Sequence, residues 1–66
     1  MITIMKRGTG GKAYEVITYY DHERKQAERE AKATASRERM NGSYGVRDVW
    51  LRVSDHNGNT FDEPII

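Results

Sequence analysis

The stretch His22–Met40, HERKQAEREAKATASRERM, decides how this chain folds. It is built mostly from Ala, Glu, Lys and Arg, which lose little on entering a helix. It contains no Leu, Ile, Val or Phe. It reads as one helix. Asp21 stands where a carboxylate can cap an orphan amide. Glu23 suits the positive first turn, and Arg37 and Arg39 suit the negative last turn. Asn41-Gly42 offers a left-handed stop. A helix in a folded domain must bury something, and here only small residues are on offer. At about 100° per residue, Ala27, Ala31, Thr34 and Ala35 fall on one arc, with Tyr20 just before it. The helix is therefore expected to lay a small-residue stripe close against a sheet that supplies the bulk. Met40 lies off this arc and is expected to pack where the helix has ended.

The flanking blocks supply the sheet. ITIMKR and KAYEVITYY are rich in β-branched and aromatic residues and are separated by GTGG, which predicts a hairpin with its tip at Gly8 to Gly11. Strict alternation groups Tyr14, Val16, Thr18 and Tyr20 on one side and Ala13, Glu15, Ile17 and Tyr19 on the other. After the helix, VRDVWLRV and NTFDEPII flank SDHNG. A two-residue Asn57-Gly58 turn would set Val53 opposite Asp62. A three-residue loop, with Asp55 opening a type I turn and Gly58 left-handed, sets Val53 opposite Phe61. It also sets Leu51 opposite Glu63 and Val49 opposite Ile65. That register gathers Val49, Leu51, Val53, Phe61 and Ile65 on one face and is preferred. Pro64 marks a sheet edge or a strand end.

The element order is β-β-α-β-β over residues 1–66, a single small α+β domain: a four-stranded antiparallel sheet with one helix packed on one face. Val49, Leu51, Val53 and Phe61, with some of Ile2, Ile4, Val16 and Ile17, are the expected core. One helix covers one face of such a sheet, so the other is left open.

Composition excludes several classes. With 66 residues the core is small, and self-association is one way to complete it. There is no cysteine, so no disulfide or thiolate metal site, and two histidines do not complete a structural zinc site. No cofactor or metal is expected. No apolar run nears the roughly 20 residues of a membrane span. MITIMKRG is too short and polar for a signal peptide, so a cytoplasmic protein is expected. Without a secretion signal, the Asn41-Gly42-Ser43 sequon is a chance match. Eleven basic and ten acidic residues leave a net charge of +1, which does not itself imply nucleic acid.

Arrangement says more than the total. Lys25, Arg29, Lys32 and Arg39 recur at spacings of four, three and seven, interrupted by Ser36, and form a basic ridge opposite the alanine stripe. Glu28 flanks the ridge and can pair with Arg24 or Lys32. The plain reading is a solvated face laced with weak ion pairs. The functional reading is docking on phosphates or an acidic protein surface. KRGTGGK fails the Walker pattern, because Ala13 follows Lys12 and a strand follows the glycines. It is a mobile hairpin tip, or else a basic finger in which Lys6, Arg7 and Lys12 reach nucleic acid or a partner. Trp50 and Arg52 alternate against Val49, Leu51 and Val53 and so belong to the open face, with some of Tyr14, Tyr19 and Tyr20. Tyr44 sits in the connection before them. Aromatic and Arg side chains on a sheet can stack bases, anchor a protein interface or form a dimer seam. His22 and His56 belong to no catalytic constellation visible in sequence, and no enzyme is expected.

A chain this short, without a cofactor motif, looks like an accessory protein of a phage or other mobile element. The run Ala31–Phe61, AKATASRERMNGSYGVRDVWLRVSDHNGNTF, resembles the helix-then-hairpin half of a small type I-F anti-CRISPR family. The resemblance covers about half the chain, and the KRGTGGK loop and the DEPII end lie outside it. It implies a protein that binds the CRISPR surveillance complex through basic residues and interferes with target DNA engagement. The candidates this carries over are the basic residues of the helix; Lys32 and Arg39 of the ridge fall within the run, and Lys25 and Arg29 precede it. The expected function is thus stoichiometric docking on a protein or nucleoprotein complex. The alternatives are direct DNA or RNA binding through the ridge and hairpin tip, and a homodimer whose open sheet faces pair.

Overall fold

The computed structural model describes residues 1–8, 11–40 and 48–65, except the side chains of Arg39 and Met40. The expected Asn41-Gly42 stop, Tyr44 and the packing of Met40 lie outside the described residues. The elements are β1 (Ile2–Arg7), β2 (Ala13–Tyr19), a 3-10 turn (Asp21–Glu23), α1 (Arg24–Met40), β3 (Asp48–Ser54) and β4 (Thr60–Pro64). The four strands make one sheet in the order β2-β1-β3-β4, every neighbouring pair antiparallel. This is the α+β fold expected from the sequence. β1 and β3 are central, β2 and β4 are edges.

The alanine stripe does what its spacing predicts. Ala27, Ala31, Thr34 and Ala35 are all buried, and Ile2, Ile4, Val49 and Leu51 beneath them are the large side chains fully removed from solvent. Each such side chain contributes about 1.5–3 kcal/mol by leaving water. The helix packs mainly over β3 and β1. This placement corrects one core expectation. The predicted register holds, with Val53 opposite Phe61 and Leu51 opposite Glu63. The amide of Ile65 donates to Val49 O at 2.9 Å. Yet Phe61 is 59 % exposed, because it faces the helix side on an edge strand that the helix does not roof. Ile17 is exposed for the same reason at the other edge, and Val16 is exposed beside it, while Tyr19, absent from the expected core, is buried within it.

A bulge overturns the strict alternation read along β2. Ile4 pairs with Ile17 and Met5 with Glu15, so Val16 has no partner. Ile17 and Tyr19 lie on the helix side, Tyr14 switches to that side, and Ala13 and Glu15 join Thr18 on the other. Thr18 shares a 3.0 Å hydroxyl hydrogen bond with Thr3 across the strands.

The helix start also departs from expectation. Asp21 is not the cap. Glu23 N–H donates to the Tyr20 carbonyl at 2.9 Å, and Tyr20 N–H donates to Glu23 Oε1 at 2.9 Å. A 3-10 turn places the longer Glu23 carboxylate within reach of that amide, and Asp21 instead accepts from the Met1 ammonium at 2.6 Å. The second hairpin closes as predicted. Gly58 has φ +88. Asp55 Oδ1 accepts from the amides of Asn57 and Asn59, both at 2.9 Å.

Candidate functional site

Three surfaces carry the residues singled out by sequence. On the helix, Lys25, Arg29 and Lys32 are exposed, and none makes an ion pair among the described residues. The helix acids are engaged elsewhere. Glu28 accepts from Arg24 at 3.0 Å, Glu30 from Arg37 at 3.1 Å, and Glu38 lies 3.6 Å from Lys6. Glu23 is taken up by the Tyr20 amide. Of the two partners open to Glu28, it takes Arg24 rather than Lys32. Arg24 also donates to both Glu63 oxygens, at 2.6 and 2.7 Å, tying α1 to β4. These hydrogen bonds, that to Glu63 first, raise the Arg24 pKa above its ordinary value. The ridge is therefore left with positive charges its own neighbours do not neutralise. From Lys25 to Lys32 it spans about 10 Å at 1.5 Å per residue. That is close to the screening length of physiological salt, about 8 Å, so the ridge acts at contact range. The Arg39 side chain lies outside the described residues.

The open sheet face holds Trp50 and Arg52 as expected, but it does not present the indole. Trp50 is only 6 % exposed, and its neighbour Met5 is buried too. The Arg7 and Arg52 guanidinium groups lie 5.0 and 5.9 Å from the Trp50 ring centroid. Each arginine has an acid: Arg52 donates to Asp62 at 3.0 and 3.4 Å, and Arg7 lies 3.9 Å from Asp48. The Arg52 hydrogen bond is the main reason the Asp62 carboxyl titrates below its usual range. Trp50 Nε1 is buried with no hydrogen-bond partner among the described residues, and its N–H also helps to hold the Asp62 carboxyl low, after Arg52. A shallow cavity of about 270 Å³, lined by Arg7, Asp48, Trp50, Asp62 and Pro64, remains between these side chains. Base stacking on Trp50 would require its arginine cover to move.

The three cations of the hairpin tip are not brought together. Lys6 points to the helix side and meets Glu38. Arg7 lies over Trp50 on the opposite face. Lys12 sits 5.8 Å from the Tyr14 ring. The two histidines, far apart in sequence, line one shallow hollow with Tyr20, Asp21, Ser54 and Asp55. Both carboxylates there are occupied, Asp21 by the Met1 ammonium and Asp55 by its turn amides. No three His, Asp or Glu among the described residues converge to hold a metal ion. No described helix is long and apolar enough to cross a membrane.

Sequence reasoning missed Arg7 and Met5 as partners of Trp50. Their role follows from β1 pairing with β3, with Met5 opposite Trp50 and Arg7 opposite Asp48, a pairing that no local pattern specifies. Comparison of the chain with family models, with curated proteins and with solved structures finds no match in any of the three.

Proposed function

We propose that this chain is a non-enzymatic binding protein that docks through the exposed face of α1 on an acidic surface of a protein or nucleoprotein complex and modulates it. The observation that carries the reading is the unneutralised ridge of Lys25, Arg29 and Lys32 beside helix acids that are all engaged elsewhere. In its sharpest form the protein is a phage-encoded inhibitor of host defence in the host cytoplasm, of the anti-CRISPR kind, with Arg39 extending the ridge. The ridge is preferred over the Trp50–Arg52 face as the primary contact for two reasons. The two lie on opposite sides of the molecule, so one flat partner meets one of them. The Trp50 face is already covered by its own arginines and acids.

The test is recovery of a partner from host lysate by the wild-type chain and by Lys25→Glu/Arg29→Glu/Lys32→Glu. Loss of the partner with the reversed ridge supports the reading, and equal recovery by both removes it. A gel shift with DNA and RNA at ~100 mM salt addresses the nucleic-acid alternative. Three phosphate contacts would give a log–log salt slope of about −3, and absence of retention confines the ridge to a protein surface.

A further inference from the structure

We infer that the outer edge of β2 is a self-association surface, on which a second copy of this chain pairs its own β2 antiparallel about a two-fold axis. Two four-stranded sheets would join into one of eight, with both helices on the same side. This surface is distinct from the ridge and from the open sheet face.

The two edges of the sheet differ. β4 is five residues long and carries Asp62, Glu63 and Pro64, the kind of residues that guard an edge against pairing. β2 is seven residues, AYEVITY, with one acid and no Lys, Arg or Pro. Apolar exposure is concentrated there. Of the exposed large hydrophobic residues, Tyr14, Val16, Ile17 and Tyr20 lie on β2 or directly after it, leaving only Met1 and Phe61 elsewhere among the described residues.

The shape of the patch selects a second copy over a foreign strand. Because α1 lies mainly over β3 and β1, the helix side of β2 beyond the buried Tyr19 is a shelf beside the helix, with Lys12 5.8 Å from the Tyr14 ring. It carries Tyr14, 50 % exposed, and Ile17, 45 % exposed. A single peptide strand added to the edge would satisfy backbone groups and leave that shelf largely wet. A two-fold copy brings its own shelf, so that Tyr14 and Ile17 from both chains fill one trough between two helices. Charge permits this. The exposed ridge lies opposite the buried alanine stripe, on the helix face turned away from the sheet, so it takes no part in the β2 edge. Glu15, the one acid of β2, feels the positive charge of Arg52.

Area places the contact in the range of a weak dimer. With about 150–250 Å² for an aromatic side chain, the exposed parts of Tyr14, Val16 and Ile17 come to roughly 250 Å² per copy. Two copies with their edge backbone make the smaller interface of a concentration-dependent pair. Closure follows as well. Isologous pairing uses the β2 edge of both copies and leaves only the guarded β4 edges exposed, so pairing ends at two copies rather than growing into a fibre. The same surface answers the small core, in which Ile2, Ile4, Val49 and Leu51 are the large side chains fully buried among the described residues, by oligomerisation.

The experiment is sedimentation or light scattering across ~10–300 µM, with amide hydrogen exchange at both ends of that range. Wild type is expected to pass from monomer to dimer, with β2 amides slowing in exchange as concentration rises. Ile17→Lys and Tyr14→Lys are each expected to weaken the dimer at least tenfold, and Lys25→Glu/Lys32→Glu to leave it intact. A wild type that stays monomeric throughout overturns the inference. So does a dimer untouched by both β2 substitutions. If either variant fails to fold by circular dichroism, exchange in the wild type decides, and a dimer whose β2 amides gain no protection overturns it.

Discussion

The Arg7 guanidinium lies 5.0 Å from the centroid of the Trp50 ring, although the two residues are far apart in sequence and sit on neighbouring strands. With Arg52 on the other flank, this contact covers the sheet face that no helix covers. A planar guanidinium can stack on an indole while keeping its outer edge in water. Asp48 and Asp62 hold the two arginines in place. A one-helix sheet thus shields its large aromatic without a second copy on that face, which weakens the case for a dimer formed by pairing open faces.

Trp50 is the single tryptophan of the chain, so its fluorescence reports this cover directly. Arg7→Ala is expected to shift emission to longer wavelength and raise quenching by acrylamide. An exposed cation–π contact is worth about 0.5–1 kcal/mol, and denaturant unfolding should show a loss of that size. Arg52→Ala should shift emission similarly. Unchanged emission and quenching in both variants would show that the arginines do not shield the indole.

The alanine stripe sets the distance between α1 and the sheet. Ala31 is fully buried, so Ala31→Leu inserts three carbons where there is no room. Such overpacking costs about 1–3 kcal/mol, or roughly 4–8 °C in melting temperature per kcal/mol in a domain this size. Ser36→Leu, on the exposed side, should shift the melting temperature much less. Equal melting of wild type and Ala31→Leu would mean the helix does not sit as close as the stripe implies.

The helix, its buried face and the second hairpin were legible because each rests on a local signal. These are the 3.6-residue spacing of small residues, and the Asp55–Gly58 turn chemistry that fixed Val53 opposite Phe61. The order β2-β1-β3-β4 was not legible, since pairing of β1 with β3 depends on residues some forty-five positions apart. The exposure of Phe61 and Ile17 follows from that order and from where the helix lies across it. The Val16 bulge was hidden because alternation along AYEVITY looks regular. On the ridge, sequence located the cations and offered Glu28 a choice of Arg24 or Lys32, but it did not show that Glu28 takes Arg24, which also reaches Glu63, or that Glu38 is taken by the distant Lys6.

Gly58 has φ +88, with nothing within 4 Å of the place a Cβ would occupy. Space is therefore not the constraint at this position; backbone conformation is. Gly58→Ala should destabilise by about 1–2 kcal/mol, and Gly58→Asn by less, since Asn tolerates the left-handed region better. Chemical denaturation of the three proteins gives the order. Gly58→Ala as stable as wild type would show that the loop relaxes to another turn.

Two carboxyls tie stability to acid pH. Asp55 is held below the usual aspartate range first by the Asn59 amide and then by the Asn57 amide, and Asp62 by Arg52. Folding thus lowers both pKa values, and the unfolded chain binds protons more readily. Their stabilisation is fully present above the unfolded value of about 3.9. It fades as pH falls through the lower folded values. Urea midpoints from pH 6 to pH 2.5 should fall for wild type, and less steeply for Asp55→Asn/Asp62→Asn. Parallel pH profiles would mean that other groups set the acid limit.

The ridge should separate binding from stability. Lys25, Arg29 and Lys32 are exposed and make no ion pair among the described residues, so substituting them breaks no ion pair seen there. Surface changes of this kind usually stay within about 0.5 kcal/mol. Lys25→Gln/Arg29→Gln/Lys32→Gln should therefore melt within a few degrees of wild type, while recovery of a partner from host lysate falls at least tenfold. Arg24→Gln should behave in the opposite way, because its hydrogen bonds to Glu63 and Glu28 join the helix to β4. It should lower the melting temperature and leave partner recovery near that of wild type. If the Gln triple variant lost stability and binding in proportion, the ridge would be part of the fold rather than a docking surface.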